Sequence, residues 1–183
     1  MTAGTIRTLD ATCPALHAQL QAAEKGVPFM PLRGLIGSDV LAHRAEWKVV
    51  DNPFGNNDPI VLLPALKPDV VLFHAATADR FGNVFIGIQR ELVTLAHAAR
   101  KTVVTVEKIV DGDLLRDPVL AAGTLPGFYV EAIAVEPRGA WPLPLPDHYA
   151  IDAAHMTEYA RLAATPEGFA DYLQRYVHER RAA

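Results

Sequence analysis

Three short polar segments of this chain carry side chains that could bind or transform a substrate. The first segment, residues 33–39, contains Arg33, Gly34, Gly37 and Ser38. Two glycines let backbone amides approach a ligand closely, and an arginine pairs well with a carboxylate or a phosphate. Loops of this composition also occur as plain turns, so the residues alone leave both interpretations open.

The second segment follows a run of apolar residues, beginning at His74 and ending at Asn83. A histidine at the end of a strand could act as a general base or hydrogen-bond a substrate carbonyl. The alternative is a buried histidine whose hydrogen bonds hold the loop in place. Asp79 and Arg80 are expected to pair locally or across a subunit boundary. Gly82 followed by Asn83 is typical of a turn, because asparagine tolerates left-handed geometry.

The third candidate is a single carboxylate, Glu107. Predicted strands precede all three candidates: residues 27–32, 70–74 and 101–106 are apolar or β-branched runs. In open α/β sheets, ligands bind beyond the carboxyl ends of the strands. The pattern therefore predicts that the three segments gather at one edge of one sheet.

Helices alternate with these strands, which predicts an α/β fold with an open, mainly parallel sheet flanked by helices. One helix is predicted over residues 14–25, with Leu16, Leu20 and Ala23 on one face and Gly26 as its stop. A second helix is predicted over residues 91–100. A further strand is predicted over residues 128–135.

The C-terminal part begins with a proline-rich segment, residues 139–148, which we call the connector. Its prolines exclude a helix or a central strand, and a surface-crossing connection is favoured over a signalling ligand. Two helices are predicted after it. In the second of these, Thr165 is the expected N-cap and Pro166 the first helical residue.

Composition limits the class of protein. The chain has 183 residues, 50% of them hydrophobic and 21% charged, which predicts one globular domain over residues 1–183. A net charge of −4 argues against nucleic acid and anionic membrane surfaces as partners. A lone Cys13, no signal-peptide core and no run of about 18 apolar residues favour a cytoplasmic, soluble chain.

Metal and nucleophile motifs are lacking in the sequence. The seven histidines show no spacing typical of metal ligands, so no metal is expected. Cys13 is expected to be a quiet thiol, since Asp10 is the one carboxylate near it in sequence. The sequence contains no nucleophile elbow, Walker loop or dinucleotide-binding fingerprint.

Three blocks in a fixed order point to a family. They read P-L-R-G-L-I-G-S-D over residues 31–39, V-L-L-P-A-L-K-P-D-V-V-L-F-H-A-A-T-A-D-R-F-G-N-V over 61–84, and V-T-V-E-K-I-V-D over 104–111. In that order and spacing, the chain resembles the α (A) subunit of class I coenzyme A transferases of the glutaconate CoA-transferase type. The likeness runs from about residue 4 to the C-terminus.

The resemblance implies half of a two-subunit enzyme whose substrate is a coenzyme A thioester, with no tightly bound cofactor. The catalytic glutamate of such enzymes belongs to a β-type partner subunit, in an S-E-N-G-like motif that this sequence lacks. The isolated chain is therefore expected to be inactive, and Glu107 is expected to be structural rather than the nucleophile. The substrate-binding residues that the resemblance favours are Arg33, Gly34, Gly37, Ser38, His74 and Asn83.

Two departures from the family pattern leave alternatives open. The N-terminal third of such subunits, with its glycine-rich turn, has no counterpart here, so we expect a sheet edge that a partner must cover. The chain also resembles enzymes of the same fold that open steroid-derived rings. The resemblance implies that these enzymes use an acidic residue just before the first helix, and this chain has Asp10 near that position. The two alternative functions are a subunit of a ring-cleaving acyl-CoA hydrolase and a non-catalytic CoA-ester-binding or scaffolding module.

Overall fold

A computed structural model describes residues 8–178 of the chain. Its strands are β1 (Phe29–Leu32), β2 (Lys48–Asp51), β3 (Pro59–Pro64), β4 (Val70–Asp79), β5 (Val84–Phe85), β6 (Lys101–Val110), β7 (Thr124–Leu125) and β8 (Ala132–Val135). Its α-helices are α1 (Cys13–Glu24), α2 (Glu91–Ala98), α3 (Ala153–Leu162) and α4 (Pro166–Leu173). Shorter helical turns cover Asp39–His43, Ala121–Gly123, Gly127–Tyr129 and, directly after α4, Gln174–His178. Over this range, none of the helices has the length and apolar character needed to cross a bilayer.

The strands form two sheets. The larger sheet has the order β7-β5-β4-β6-β8, in which β4, β6 and β8 are parallel and the two short strands pair antiparallel. The smaller sheet has the order β1-β3-β2 and is antiparallel throughout. The larger sheet confirms the predicted α/β class with an open, mainly parallel sheet.

The parallel sheet buries one face against α2. Ala75 of β4 and Val104 and Val106 of β6 pack with Ala96 of α2 in one hydrophobic cluster. Because side chains alternate along a strand, residues of the other parity point to the opposite face. That opposite face is more open: the side chain of Leu72 is 69% exposed.

The predicted strand over residues 27–32 does not belong to the parallel sheet. It is shortened to β1, which pairs antiparallel with β3, so that Leu32 lies opposite Val61. The expectation that all three polar segments share one sheet edge is therefore wrong, because Arg33 leaves a strand of the smaller sheet. The sequence pattern does not reveal β3, which starts and ends at proline, and pairing with this distant strand decides where β1 lies.

Both central strands are longer than predicted. β4 continues from His74 to Asp79, and β6 continues from Val106 to Val110, with the two strands in register to their ends. His74 and Glu107 consequently lie within strands and not beyond them. The predicted strand over residues 128–135 is shorter than expected, because its first part forms the helical turn at residues 127–129.

Helix α1 confirms its predicted limits and corrects its buried face. The Thr12 hydroxyl accepts a hydrogen bond from the backbone of Ala15 at 3.3 Å, and Gly26 follows the helix at a φ of +67°. Its buried residues are Ala15, Ala18, Gln19 and Ala22, whereas Leu16 is 41% exposed. These side chains are mostly small, so the helix can lie close to the smaller sheet, where the Gln19 amide donates to the Pro64 carbonyl at 2.9 Å.

The C-terminal helices pack on the connector through aromatic side chains. His155 of α3 is buried between Trp141 of the connector, Tyr172 of α4 and Tyr176 of the helical turn after α4. The predicted cap of α4 is confirmed, since the backbone of Gly168 donates to the Thr165 hydroxyl at 3.1 Å. The connector itself is irregular and contains a cis peptide bond before Pro142.

Candidate functional site

His74 and Glu107 lie side by side on the open face of the parallel sheet. Register places His74 opposite Thr105, and Glu107 is two residues further along the same face of β6. The His74 Nε2 atom lies 2.8 Å from Glu107 Oε1, and its Nδ1 atom lies 2.9 Å from Thr105 Oγ1. Both side chains are largely buried, with 8% of His74 and 15% of Glu107 exposed.

The partners of His74 determine which of its nitrogens carries a proton. An ionised carboxylate only accepts hydrogen bonds, so Nε2 must donate to Glu107. In neutral His74, Nδ1 then accepts the hydroxyl proton of Thr105. Both ring nitrogens have partners within the chain, and contact with a substrate would have to replace one of them. His74 as a substrate-binding residue stays a prediction.

Glu107 also fastens both ends of the connector to the sheet. The Tyr149 hydroxyl donates to Glu107 Oε1 at 2.9 Å, and the backbone N–H of Arg138 donates to Oε2 at 2.8 Å. The Tyr149 oxygen accepts in turn from the backbone of Ala140 at 3.1 Å. Sequence reasoning missed Arg138 and Tyr149, because both belong to an irregular segment with no periodic pattern.

These hydrogen bonds keep Glu107 ionised. Burial by itself would raise the pKa of Glu107, but the bonds from Arg138, His74 and Tyr149 outweigh burial and hold its pKa below the ordinary value. Burial, together with the contact to Glu107, raises the pKa of Tyr149. At neutral pH the arrangement is therefore a carboxylate with three donors. Such a group is well suited to hold structure and poorly suited to attack a carbonyl carbon.

Gly139 of the connector lies against the His74 ring. A β-carbon at Gly139 would lie 2.6 Å from His74 Nδ1 and 2.7 Å from its Cε1. A glycine is needed here for close approach, because any larger residue would displace the imidazole. The connector therefore packs directly against the His74 imidazole.

Asn83 lies at a second buried hydrogen-bond centre, beyond the end of β4. The carboxylate of Asp79, 2% exposed, accepts from the backbones of Phe81, Asn83 and Leu114 at 2.9 Å each, and from the Asn83 amide at 2.8 Å. Burial would raise the pKa of Asp79, but these bonds hold it below its ordinary value. The Asn83 oxygen accepts from the backbone of Gly127 at 2.8 Å.

This centre confirms the local pairing predicted for Asp79. The turn itself takes its left-handed residue at Gly82, with a φ of +86°, and not at Asn83. The side-chain amide of Asn83 makes its hydrogen bonds within the chain. Its role in substrate binding stays a prediction.

The Arg33 loop lies on the surface of the smaller sheet. The Arg33 guanidinium forms an ion pair with Asp58 and remains 66% exposed. The pKa of Asp58 is lowered, mainly because Asn52 donates a hydrogen bond to its carboxylate. The contact with Arg33 lowers this pKa further, whereas burial raises it. The Ser38 hydroxyl accepts from the backbone of Val40 at 3.2 Å, capping the turn that follows.

Both glycines of this loop face open space. A β-carbon at Gly34 or Gly37 would meet no atom within 4 Å, and Gly37 has a φ of +82°. Gly37 therefore satisfies a left-handed turn, whereas Gly34 leaves its backbone accessible. Asp10, the acidic residue before α1, is exposed, and its carbonyl accepts from Arg44 Nη1 at 2.7 Å. The structure brings His74 and Glu107 together and leaves Arg33 in a loop beside the smaller sheet.

Comparison with known proteins identifies the family. A family model described as Coenzyme A transferase matches residues 12–136 of the chain. The chain belongs to the coenzyme A transferase family. The Arg33 loop, His74 and Glu107 fall inside the matched residues, whereas Arg138, the whole connector and Tyr149 lie beyond them.

Three curated proteins are similar to this chain over most of its length. The A subunit of 3-oxoadipate CoA-transferase from Pseudomonas knackmussii is 32% identical over 88% of this chain and 57% of its own length. The A subunit of glutaconate CoA-transferase from Acidaminococcus fermentans is 29% identical over 97% of this chain and 60% of its length. The IpdA subunit of a cholesterol ring-cleaving hydrolase from Rhodococcus jostii is 29% identical over 96% of this chain and 62% of its length.

A solved structure supports the same assignment. The crystal structure of glutaconate coenzyme A-transferase from Acidaminococcus fermentans matches with a TM-score of 0.88 and 27% sequence identity. The match covers 97% of this chain and 61% of the solved chain. The chain therefore spans about 60% of the length of these relatives.

Cavities formed by the described residues include two that are lined in part by β4 or β6. The larger, of about 300 Å³, lies between residues 85–89 and residues 145–148, with Ala75 and Ala76 of β4 in its wall. The smaller, of about 170 Å³, lies near the start of β6 and so at the opposite end of the strand from Glu107. Among residues 8–178, no three side chains of histidine, cysteine, aspartate or glutamate gather closely enough to hold a metal ion.

Proposed function

We propose that this chain is the α-type subunit of a CoA-transferase that moves coenzyme A between an acyl-CoA and a carboxylic acid. The support is family membership together with two relatives named as the A subunits of CoA-transferases. The proposed partner is a β-type subunit that carries the catalytic glutamate. The proposed substrates are a coenzyme A thioester and a carboxylic acid, with no tightly bound cofactor.

The hydrogen bonding of Glu107 is the observation that supports a nucleophile on the partner subunit. Glu107 lies in the strand that reaches the predicted site, yet three hydrogen bonds occupy its two oxygens and its pKa is lowered. A nucleophilic carboxylate needs a free oxygen that can reach the thioester carbonyl. Glu107 is instead a positioning residue for the connector, which supports the proposal that the nucleophile belongs to the partner subunit.

The proposed reaction proceeds through the partner's glutamate. That carboxylate attacks the acyl-CoA carbonyl carbon and expels the CoA thiolate, which leaves a mixed anhydride. The thiolate then attacks the glutamyl carbonyl and releases the first carboxylic acid, giving a glutamyl-CoA thioester. The second acid reverses both steps. In this proposal the chain described here supplies substrate-contacting surface at Arg33, Gly34, Gly37, Ser38, His74 and Asn83.

Borohydride trapping during turnover tests the proposal. The chain is co-expressed with the product of its neighbouring reading frame, incubated with acyl-CoA, treated with borohydride and digested for mass spectrometry. We expect reduced glutamate on the partner and none on this chain, and we expect a Glu107→Gln complex still to be trapped on the partner, even if more slowly. Reduced Glu107, or full transferase activity of the chain alone, would refute the proposal.

A ring-cleaving hydrolase subunit is the second candidate, because the Rhodococcus jostii relative is as similar as the glutaconate enzyme. Its proposed catalytic acid is Asp10, whose side chain is exposed just before the Thr12 cap of α1. The two candidates differ in what an added carboxylic acid does. A transferase passes CoA to that acid, whereas a hydrolase consumes a cyclic acyl-CoA without it and loses this activity in Asp10→Asn.

A further inference from the structure

The cavity beside the connector is lined mainly by apolar groups, and its polar lining residues are Gln89, Asp147 and His148. Phe85, Ile86 and Ile88 form one wall, and Leu145 and Pro146 form the other. Its volume of about 300 Å³ lies at the small end of the range for ligand sites. Apolar walls of this kind stabilise a ligand by removing hydrocarbon surface from water.

One wall of this cavity is fixed by the Glu107 network. Leu145 and Tyr149 exchange two backbone hydrogen bonds of 3.0 Å, which close a tight turn at the end of the connector. The Tyr149 hydroxyl ties this turn to Glu107. The opposite side includes Ala76, which is two residues beyond His74 in β4 and so about 7 Å further along the strand.

The charge of the cavity selects against an anionic group. Asp147 lines the cavity, is exposed and lies at the tip of the turn, with a φ of +62°. No lysine or arginine is among the lining residues. The remaining titratable residue, His148, directs Nδ1 at the Pro146 carbonyl, 3.0 Å away. A carboxylate entering the cavity would meet a like charge without a fixed cation, which is unfavourable.

We propose that this cavity receives the apolar end of a monocarboxylic acyl group, in preference to a dicarboxylic one. The inference rests on the proposed function, since it takes the acyl group to be part of a coenzyme A thioester. The cavity makes Ala76 and Asp147 specificity-determining residues: Ala76 limits the length of the acyl chain, and Asp147 excludes a terminal carboxylate.

Two substitutions test the two parts of the inference in the complex with the partner subunit. Ala76→Phe fills the cavity, and its control is Ala160→Phe at an exposed position of α3. Asp147→Asn removes the charge, and asparagine tolerates the left-handed backbone at this position. Its control is Asp111→Asn, at an exposed position after β6.

Transfer to acetate is measured with acetyl-, butyryl-, hexanoyl-, octanoyl- and adipoyl-CoA, and binding of octanoyl-CoA and free CoA is measured by calorimetry. In the wild type, we expect kcat/KM to rise by up to about fourfold per methylene group until the cavity is full. Ala76→Phe should flatten this rise and weaken octanoyl-CoA binding without changing the binding of free CoA. Asp147→Asn should raise the adipoyl-to-hexanoyl ratio by about threefold, as for a screened contact of unit charges.

The outcomes separate this inference from the proposed function. If the wild type transfers CoA but Ala76→Phe and Asp147→Asn keep its acyl preferences, the inference is overturned and the proposed function stands. If no transfer occurs but octanoyl-CoA binds more tightly than CoA and Ala76→Phe removes the difference, the cavity is an acyl site and the proposed function fails. Octanoyl-CoA binding no more tightly than free CoA overturns the inference directly.

Discussion

The hydroxyl of Tyr149 donates a 2.9 Å hydrogen bond to Glu107 across 42 residues of sequence. This bond joins the end of the connector to the middle of the parallel sheet. Since Arg138 bonds the other carboxylate oxygen, a single side chain holds both ends of the connector. The cavity wall is therefore attached to the sheet through the Glu107 side chain.

Removal of the Tyr149 hydroxyl should loosen this attachment. Tyr149→Phe leaves the Ala140 N–H without its acceptor and takes one donor from Glu107, so we expect a loss of about 1–2 kcal/mol in the free energy of unfolding. Urea unfolding measures the loss. The control is Tyr129→Phe, whose hydroxyl makes no hydrogen bond to the described residues and should change stability little.

A double-mutant cycle with Glu107→Gln shows whether the two side chains act together. Adjacent, hydrogen-bonded residues have non-additive effects on stability. We therefore expect the double variant to be less destabilised than the sum of the two single variants. Strict additivity, or equal unfolding midpoints for Tyr149→Phe and Tyr129→Phe, would contradict the role assigned to this bond.

Gly139→Ala tests the close approach of the connector to His74. The new methyl group would lie 2.6 Å from His74 Nδ1, so the imidazole must move away from Thr105 and Glu107. We expect a cost of about 1–3 kcal/mol, as for other overpacked sites. The melting temperature gives the comparison, with Gly112→Ala as the control because a β-carbon at Gly112 meets nothing within 4 Å. Equal melting temperatures would mean that the connector adjusts freely.

Asp79 should govern part of the acid stability of the chain. Its folded pKa lies below the ordinary value, so its contribution to stability is full above the unfolded pKa of about 3.9 and disappears as the pH falls through the folded pKa. In Asp79→Asn, the amide N–H₂ faces N–H groups that need an acceptor. We therefore expect the free energy of unfolding to fall by about 2–3 kcal/mol at pH 7.

The pH dependence distinguishes Asp79 from an ordinary surface carboxylate. The stability difference between wild type and Asp79→Asn should be constant from pH 8 to about pH 5 and shrink below about pH 4. Asp69→Asn is the control, since the side chain of Asp69 is 86% exposed and should give no such difference. A difference that grows as the pH falls would have the wrong sign for a carboxyl with a lowered pKa.

Local signals in the sequence predict α1 and the starts of β4 and β6 well. Pro14 and Gly26 delimit α1 through the geometry of a few neighbouring residues, and this information is present in the sequence. The ends of β4 and β6 are set by their pairing with each other, which carries polar residues such as Thr77 into the sheet. Composition alone does not contain that information.

The same distinction between local and long-range information applies to the residues of the candidate site. His74 and Glu107 can be found from the sequence because each belongs to a strand with a clear apolar pattern. Tyr149 and Arg138 cannot, because they reach Glu107 from an irregular segment whose path depends on long-range contacts. The separation of Arg33 from these residues follows from β3, whose pairing with β1 is equally non-local.

Arg33 is proposed to contact a substrate anion. Its guanidinium is 66% exposed, and its present partner, Asp58, could be exchanged for a carboxylate or phosphate of the substrate. Arg33→Ala should therefore lower kcat/KM of the assembled complex by about 5- to 150-fold, equivalent to about 1–3 kcal/mol. Its melting temperature should change little, because exposed ion pairs contribute little to stability.

Two further variants decide whether this effect belongs to a substrate contact. Arg33→Lys keeps the charge but loses the planar two-point geometry, so it should restore activity only in part. Arg116→Ala is the matched control, because Arg116 is 88% exposed and also pairs with an aspartate, Asp113, at 3.2 Å. Steady-state kinetics of all three complexes are compared at two salt concentrations. If Arg33→Ala and Arg116→Ala both keep wild-type kcat and KM, Arg33 has no substrate role and its conformation serves only the pair with Asp58.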